Sequence, residues 1–287
     1  MTPESRHSAV LNRTGKISRL LHAPLAHAAL LLVTALPYWI NLGKSSVWDA
    51  NEAFYAETPR EMLLTGDYLA PRFNNEPRTQ KPPLTYWAVL LSYKLFGIGE
   101  FALRIPGAAA ATVTLFLVYG IARMLFSPSA ALMAAAVTAT TPRFFVLARR
   151  LPIDILLILF LTAVLFFLMR AVRRNTTLDW AMVYFCAGLG FLTKGPVAAV
   201  LPAGAYCAWS LHARRFRLAA THPWMGICIF LAVVLPWHVL IYKAHGWTYI
   251  APFLMRDNLQ RFALTPMGPT RGLMYYFPVF AMDFFPW

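Results

Sequence analysis

The chain has 287 residues, 59% of them apolar and only 13% charged, with a formal net charge of +14 and a mean hydropathy of +0.53. That balance excludes an ordinary soluble domain and places the chain in the membrane class. Nor does the positive charge indicate nucleic acid, because Lys and Arg fall in short clusters between apolar runs and form no basic stripe; anionic lipid or a lipid phosphate fits that spacing.

Apolar stretches suited to crossing a bilayer occupy about residues 22–42, 102–125, 129–148, 154–172, 178–193, 195–211, 223–242 and 272–287. The first follows Arg6, Arg13, Lys16 and Arg19, as a secretory leader would. Its length, Pro24, His27 and Pro37, and the lack of a small-x-small cleavage site make it an uncleaved first span. The fold class is therefore an all-α polytopic membrane protein, with a cytoplasmic tail at 1–21 and a membrane domain over 22–287. A cytoplasmic tail puts Arg123, Arg170, Arg173, Arg174, Arg214, Arg215 and Arg217 on the same side, as the positive-inside rule asks. It sends 43–101, 243–271 and the turns at 149–153 and 194 to the outer face. Those outer parts still carry Arg78, Lys81, Arg149, Arg150, Lys194, Arg256 and Arg261. Snorkelling at helix ends explains about half of the outer cations, and a bound anion explains the rest.

The first outer segment, 43–101, opens with WDANEAFYAETPREM, which holds Asp49, Glu52, Glu57 and Glu61, four of the twelve acidic residues in the chain. Asp49 and Glu52 have capping-box spacing, and Thr58-Pro59-Arg60-Glu61 repeats it before Gly66, which predicts two short helices along the membrane surface. Glu57 and Glu61 read as capping or solvated groups. Asp49 and Glu52 share one helix face at the membrane boundary, opposite an excess of positive charge, and are candidate acid or base groups. Further on, QKPPLTYW holds Lys81 at the interface on stiff, extended backbone ahead of a third amphipathic stretch. Its Tyr86 and Trp87 read as interface-belt residues.

Asp154, in ARRLPIDILLILF, starts a span beside Arg149 and Arg150. An ionisable group there is either functional or a helix N-cap, and the sequence leaves both open. Lys194 interrupts apolar sequence in FLTKGPVAAV, where the Gly195-Pro196 turn has no need of a lysine, so an anion contact is expected. Cys186, Cys207 and Cys228 lie singly in apolar runs and read as packing residues.

Together WDANEAFYAETPREMLLTGDYLAPRFNNEPRTQKPPLTYW, LPID, LTKGP, NLQRFAL and YYFPVFAMDFFPW resemble the GT-C glycosyltransferases that use polyprenyl-phosphate sugars. The nearest branches are the bacterial aminoarabinose lipid A transferases and the protein O-mannosyltransferases. The resemblance implies a GT-C helical bundle in the bacterial inner membrane, with juxtamembrane helices of the first outer loop lying over a cavity. It further implies a loop carboxylate acting on the acceptor, Asp154 as a second acid, and Lys81, Arg261 and Lys194 on the donor phosphate. Two departures stand out. The family pattern has Asp-Glu where this chain has Asn51-Glu52, so Glu52 or Asp49 must serve as base, or the chain is an inactive lipid-carrier-binding homologue. Aminoarabinose-type members have Glu and His where Gln80 and Asn258 stand, so no metal and no other cofactor is expected. Members also continue with further spans and an outer soluble domain, so this chain reads as the amino-terminal part of a longer protein.

The function expected is transfer of a sugar, with inversion, from a polyprenyl-phosphate donor to an acceptor hydroxyl on a lipid, glycan or protein at the outer face of the membrane. The leaving phosphate needs cations on its developing charge, and the acceptor needs a carboxylate in reach. A secondary transporter of an anionic solute is the competing reading from another class; no internal repeat relates two halves of the chain to support it.

Overall fold

The computed structural model describes residues 24–47, 49–214, 218–253, 255 and 272–287. The architecture is a helical bundle. Its only strands among the described residues are the two-residue β1, Arg72–Phe73, and β2, Glu76–Pro77, which pair antiparallel.

Helix α1, Pro24–Trp39, leads through a turn into α2, Ala50–Thr65. Asp49 caps α2, its side chain accepting from the Asn51 N–H at 2.8 Å, and Gly66 closes it in the left-handed region at φ 72°. The two short surface helices expected here are one sixteen-residue helix. Pro59 lies inside it, and the Thr58 hydroxyl is buried with no hydrogen-bond partner, so no second cap forms. Burial of Glu52, Tyr55, Thr58, Pro59 and Met62 on one side carries the helix through the proline, since tertiary packing outweighs the one hydrogen bond that proline removes.

The hairpin that follows turns on Asn74 and Asn75, both at positive φ, the backbone a two-residue hairpin prefers. Glu61 clasps that turn, its carboxylate accepting from the Asn74 N–H at 2.6 Å and the Asn75 N–H at 3.1 Å. It is thus a buried anchor for the hairpin, where the sequence pattern suggested a cap or a solvated group. Helix α3, Leu84–Phe96, then packs on α2.

Helix α4, Glu100–Leu125, is the hub, contacting α1, α3, α5 (Pro128–Thr140), α6 (Pro142–Arg149) and α7 (Ile153–Arg174). Gly107 lets α4 approach the turn before α7: a Cβ there would stand 2.9 Å from the Arg150 carbonyl oxygen. Helix α7 packs on α8, Thr177–Lys194, which meets α9, Val197–His212, and α10, Pro223–His245. Helices α11, Trp247–Ala251, and α12, Tyr276–Phe284, complete the described chain.

Among the described residues, α4, α7 and α10 are each long and apolar enough to cross a membrane alone. The stretch expected as one span at 129–148 is the pair α5 and α6, bent by 66° at Thr141-Pro142, where proline ends the first helix and starts the second. Among the described residues the 22–42, 195–211 and 272–287 stretches form helices of sixteen, sixteen and nine residues, or roughly 24, 24 and 14 Å at helical rise, short of the ~30 Å apolar layer. Leu25, Leu32, Val33 and Leu36 on α1 and Val200 and Leu201 on α9 point outward and exposed, as lipid-facing side chains do. The chain is a multi-pass membrane protein.

Candidate active site

One end of the bundle gathers the N-termini of α2 and α7, the C-terminus of α8 and the loop from the hairpin to α3. Asp154 stands in the first turn of α7 and Lys194 in the last turn of α8, and the two form an ion pair. Each sits at the helix end whose dipole favours its charge, because α7 and α8 run antiparallel. Both remain open to the surroundings, Asp154 at 45% and Lys194 at 32% side-chain exposure. The pair joins two residues that were each singled out from the sequence.

Glu52 and Arg104 are arranged in the opposite way. The Arg104 Nε donates to Oε1 at 2.7 Å and Nη2 to Oε2 at 3.0 Å, and both side chains are only 2% exposed. Arg104 Nη1 also donates to the Leu42 carbonyl at 2.9 Å and to the Ser45 carbonyl and hydroxyl at 2.7 and 3.0 Å. The guanidinium thus fixes the turn after α1, the start of α2 and the first turns of α4 to one another. Both carboxylate oxygens are engaged by this fork, which ties the start of α2 to α4. Sequence reasoning passed over Arg104, although an arginine buried five residues into α4, at the head of a long apolar stretch, is the kind of intramembrane ion that signals a partner.

Asp49 has one oxygen on its capping bond and the other 3.8 Å from Arg150, and is about a third exposed. Lys81 Nζ donates to the Gln80 carbonyl at 3.2 Å. Arg261 and Asn258 lie outside the described residues. Among the described residues no three His, Cys, Asp or Glu side chains cluster as a metal would need.

Beside these groups lies an aromatic platform, and its Tyr86, expected as an interface-belt residue, is fully buried. The Tyr55 and Tyr86 rings stack at 5.5 Å, Arg78 Nε donates to the Tyr86 hydroxyl at 2.8 Å, and the Arg78 guanidinium lies 4.0 Å over the Phe54 ring. Burial holds the Tyr55 phenol well above its ordinary range, and the neighbouring Tyr86 and the charge of Asp154 push it further up, against the pull of Arg78. Tyr86 is likewise raised by burial. Both phenols therefore stay protonated and able to donate at neutral pH. Arg78 was visible only as one of many outer cations, and its stacking partners come from separate turns of α2 and the hairpin.

Residues 80–240 match the dolichyl-phosphate-mannose-protein mannosyltransferase family, a stretch that includes Lys81, Asp154 and Lys194. The undecaprenyl phosphate-alpha-4-amino-4-deoxy-L-arabinose arabinosyl transferase of Edwardsiella ictaluri is 29% identical over 263 residues, 90% of this chain and 48% of that protein. An uncharacterized protein of Aquifex aeolicus is 30% identical over 88% of this chain and 49% of its own length. ArnT from Cupriavidus metallidurans, in a crystal structure bound to undecaprenyl phosphate, superposes with a TM-score of 0.82 at 25% identity, covering 92% of this chain and 50% of that one. The chain thus spans about half the length of the curated relatives it matches, and the GT-C bundle that its motifs suggested is the fold it has. By the extent of that match the chain belongs to the dolichyl-phosphate-mannose-protein mannosyltransferase family.

Proposed function

We propose that the protein is an integral-membrane glycosyltransferase that moves a sugar from a polyprenyl-phosphate donor to an acceptor hydroxyl on a lipid, glycan or protein. The observation that carries this reading is the exposed Asp154–Lys194 pair set beside the Arg78–Tyr55–Tyr86 platform at one end of the bundle. Asp154 takes the acceptor proton as the acceptor oxygen bonds to the anomeric carbon. The bond from that carbon to the phosphate oxygen breaks on the opposite face, which inverts the centre and releases polyprenyl phosphate. Lys81 and Lys194, with Arg261, bind the phosphate and stabilise the charge it gains. Asp49 is the second open carboxylate, while Glu52 acts through Arg104 to hold the loop in place.

The reacting end faces the periplasm and the amino terminus the cytoplasm of a bacterial inner membrane. Arg123, Arg173 and Arg174 lie in the last turns of α4 and α7 and Arg214 just beyond α9, and Arg173 bonds the Met124 carbonyl, which brings two of those ends together. A basic end of this kind is the cytoplasmic one.

The test is release of undecaprenyl phosphate from an undecaprenyl-phosphate sugar by the purified full-length protein. Turnover lost in Asp154→Asn with the fold intact supports the reading. Wild-type protein that binds the lipid and never releases it would establish an inactive carrier-binding homologue instead.

A further inference from the structure

At the end of the bundle opposite Asp154, two cavities join. One, of about 500 Å³, is an apolar cleft opening between α7, α8, α9 and α10, walled by Trp180, Tyr184, Tyr206 and Phe230. The second, of about 510 Å³, adds Asn175, Trp209 and Arg214. Trp180 and Tyr206 line both, so the two form one slot with an apolar arm and a cationic mouth. Each volume lies within the ~300–1,000 Å³ of ordinary ligand pockets. The walls are built: Tyr184 donates to the Thr221 carbonyl at 3.0 Å, and Gly226 leaves room for its ring, because a Cβ there would come within 2.3 Å of it.

The charge around the mouth is one-sided. From residue 155 to 221 the sequence has a single acid, Asp179. That acid is buried, pairs with Arg170 at 2.9 Å and accepts from the Thr176 hydroxyl at 2.7 Å. Its charge is therefore already matched, and Arg214, which lines the mouth, leaves it cationic. Helix α7 has 22 residues, which separates this end from Asp154 by roughly 33 Å, too far to serve the reacting groups.

We propose that this slot binds an anionic membrane phospholipid, an acyl chain in the apolar cleft and the phosphate headgroup at Arg214. The apolar arm demands hydrocarbon, the cationic mouth demands an anion, and a bilayer supplies both in one molecule at this depth.

Native mass spectrometry of the full-length protein, titrated with phosphatidylglycerol, phosphatidylcholine or undecaprenyl phosphate, tests it. Phosphatidylglycerol should be retained in preference to phosphatidylcholine. Arg214→Gln, an exposed position, should weaken it about fivefold, as expected for one headgroup cation, and Arg214→Lys should restore much of the loss. Ala203→Phe, which projects into the cleft, should block it. Phosphatidylglycerol should also slow maleimide alkylation of Cys207, which lines the cleft, and leave exposed Cys228 unchanged. Equal retention of the two phospholipids, no effect of Arg214→Gln, displacement by undecaprenyl phosphate at lower concentration, or a full-length protein that takes up no lipid here would each overturn the proposal.

Discussion

Replacing Glu52 with Gln separates two roles that the sequence alone cannot. The Arg104 guanidinium makes two bonds to Glu52 and three to the turn at Leu42 and Ser45, within a site where both partners are 2% exposed. Glu52→Gln leaves that cation buried without its counter-charge, an outcome that costs about 3–5 kcal/mol for pairs of this kind. For a chain of this size the shift in Tm is on the order of 10 °C, at ~2–4 °C per kcal/mol. The assay is thermal unfolding of the detergent-solubilised protein for Glu52→Gln, Arg104→Gln and the double variant. The double variant should fall by much less than the sum of the singles, because removing both charges together leaves neither one buried alone. Turnover in the singles should fall in step with stability and with the order of the loop. A Glu52→Gln protein that unfolds at the wild-type temperature yet releases no undecaprenyl phosphate would refute this reasoning and make Glu52 the base.

Asp154→Asn should lower release by about 10²–10⁴-fold, the span ascribed to a positioned base, while its half-exposed pair with Lys194 contributes only about 0–1 kcal/mol to stability; circular dichroism and Tm should therefore stay near wild type. Glu61→Ala strips the Asn74 and Asn75 N–H groups of their acceptor and should cost about 1–3 kcal/mol, seen as faster limited proteolysis within residues 72–77. Gly107→Leu sets a side chain against the Arg150 carbonyl and should cost about 1–3 kcal/mol by overpacking, displacing Arg150 from Asp49 and lowering Tm. Because burial raises the Tyr55 and Tyr86 phenols, the folded state keeps protons that the unfolded chain gives up above pH ~10. The stability they contribute is complete below that pH and falls as pH rises through it, which alkaline unfolding, compared with Tyr55→Phe, will read out.

The fold was legible where a single physical demand decided the answer. Runs of apolar residues marked α4, α7 and α10 because a bilayer tolerates little else. It was less legible where two demands competed. Thr58-Pro59-Arg60-Glu61 has every local sign of a helix start, yet the packed side of α2 carries the helix through it, and no local pattern records the packing of Tyr55 and Met62. Thr141-Pro142 looked like the interior of one span because hydropathy is blind to the direction of an axis, and the 66° bend appears only when the proline geometry is counted.

Site residues divide along a similar line. Asp154 and Lys194 stand forty positions apart in sequence and were each conspicuous as charges in apolar surroundings. Their meeting follows from a second property that sequence also holds, the antiparallel pairing of consecutive helices through a short connection. Glu52 was conspicuous for the same reason as Asp154, and composition cannot separate them. What separates them is the partner's access to water: Lys194 meets Asp154 at an open rim, where a proton or a phosphate can replace the contact. Arg104 closes on Glu52 inside the packed junction of α2 and α4, where nothing can replace it without leaving a buried charge. Asn51, the amide where the family pattern has an acid, is exposed beside the Asp49 cap. The carboxylates next to it are committed, one in part to capping and one wholly to Arg104, and the proposed mechanism accordingly assigns the proton transfer to the acid whose counter-ion can let go.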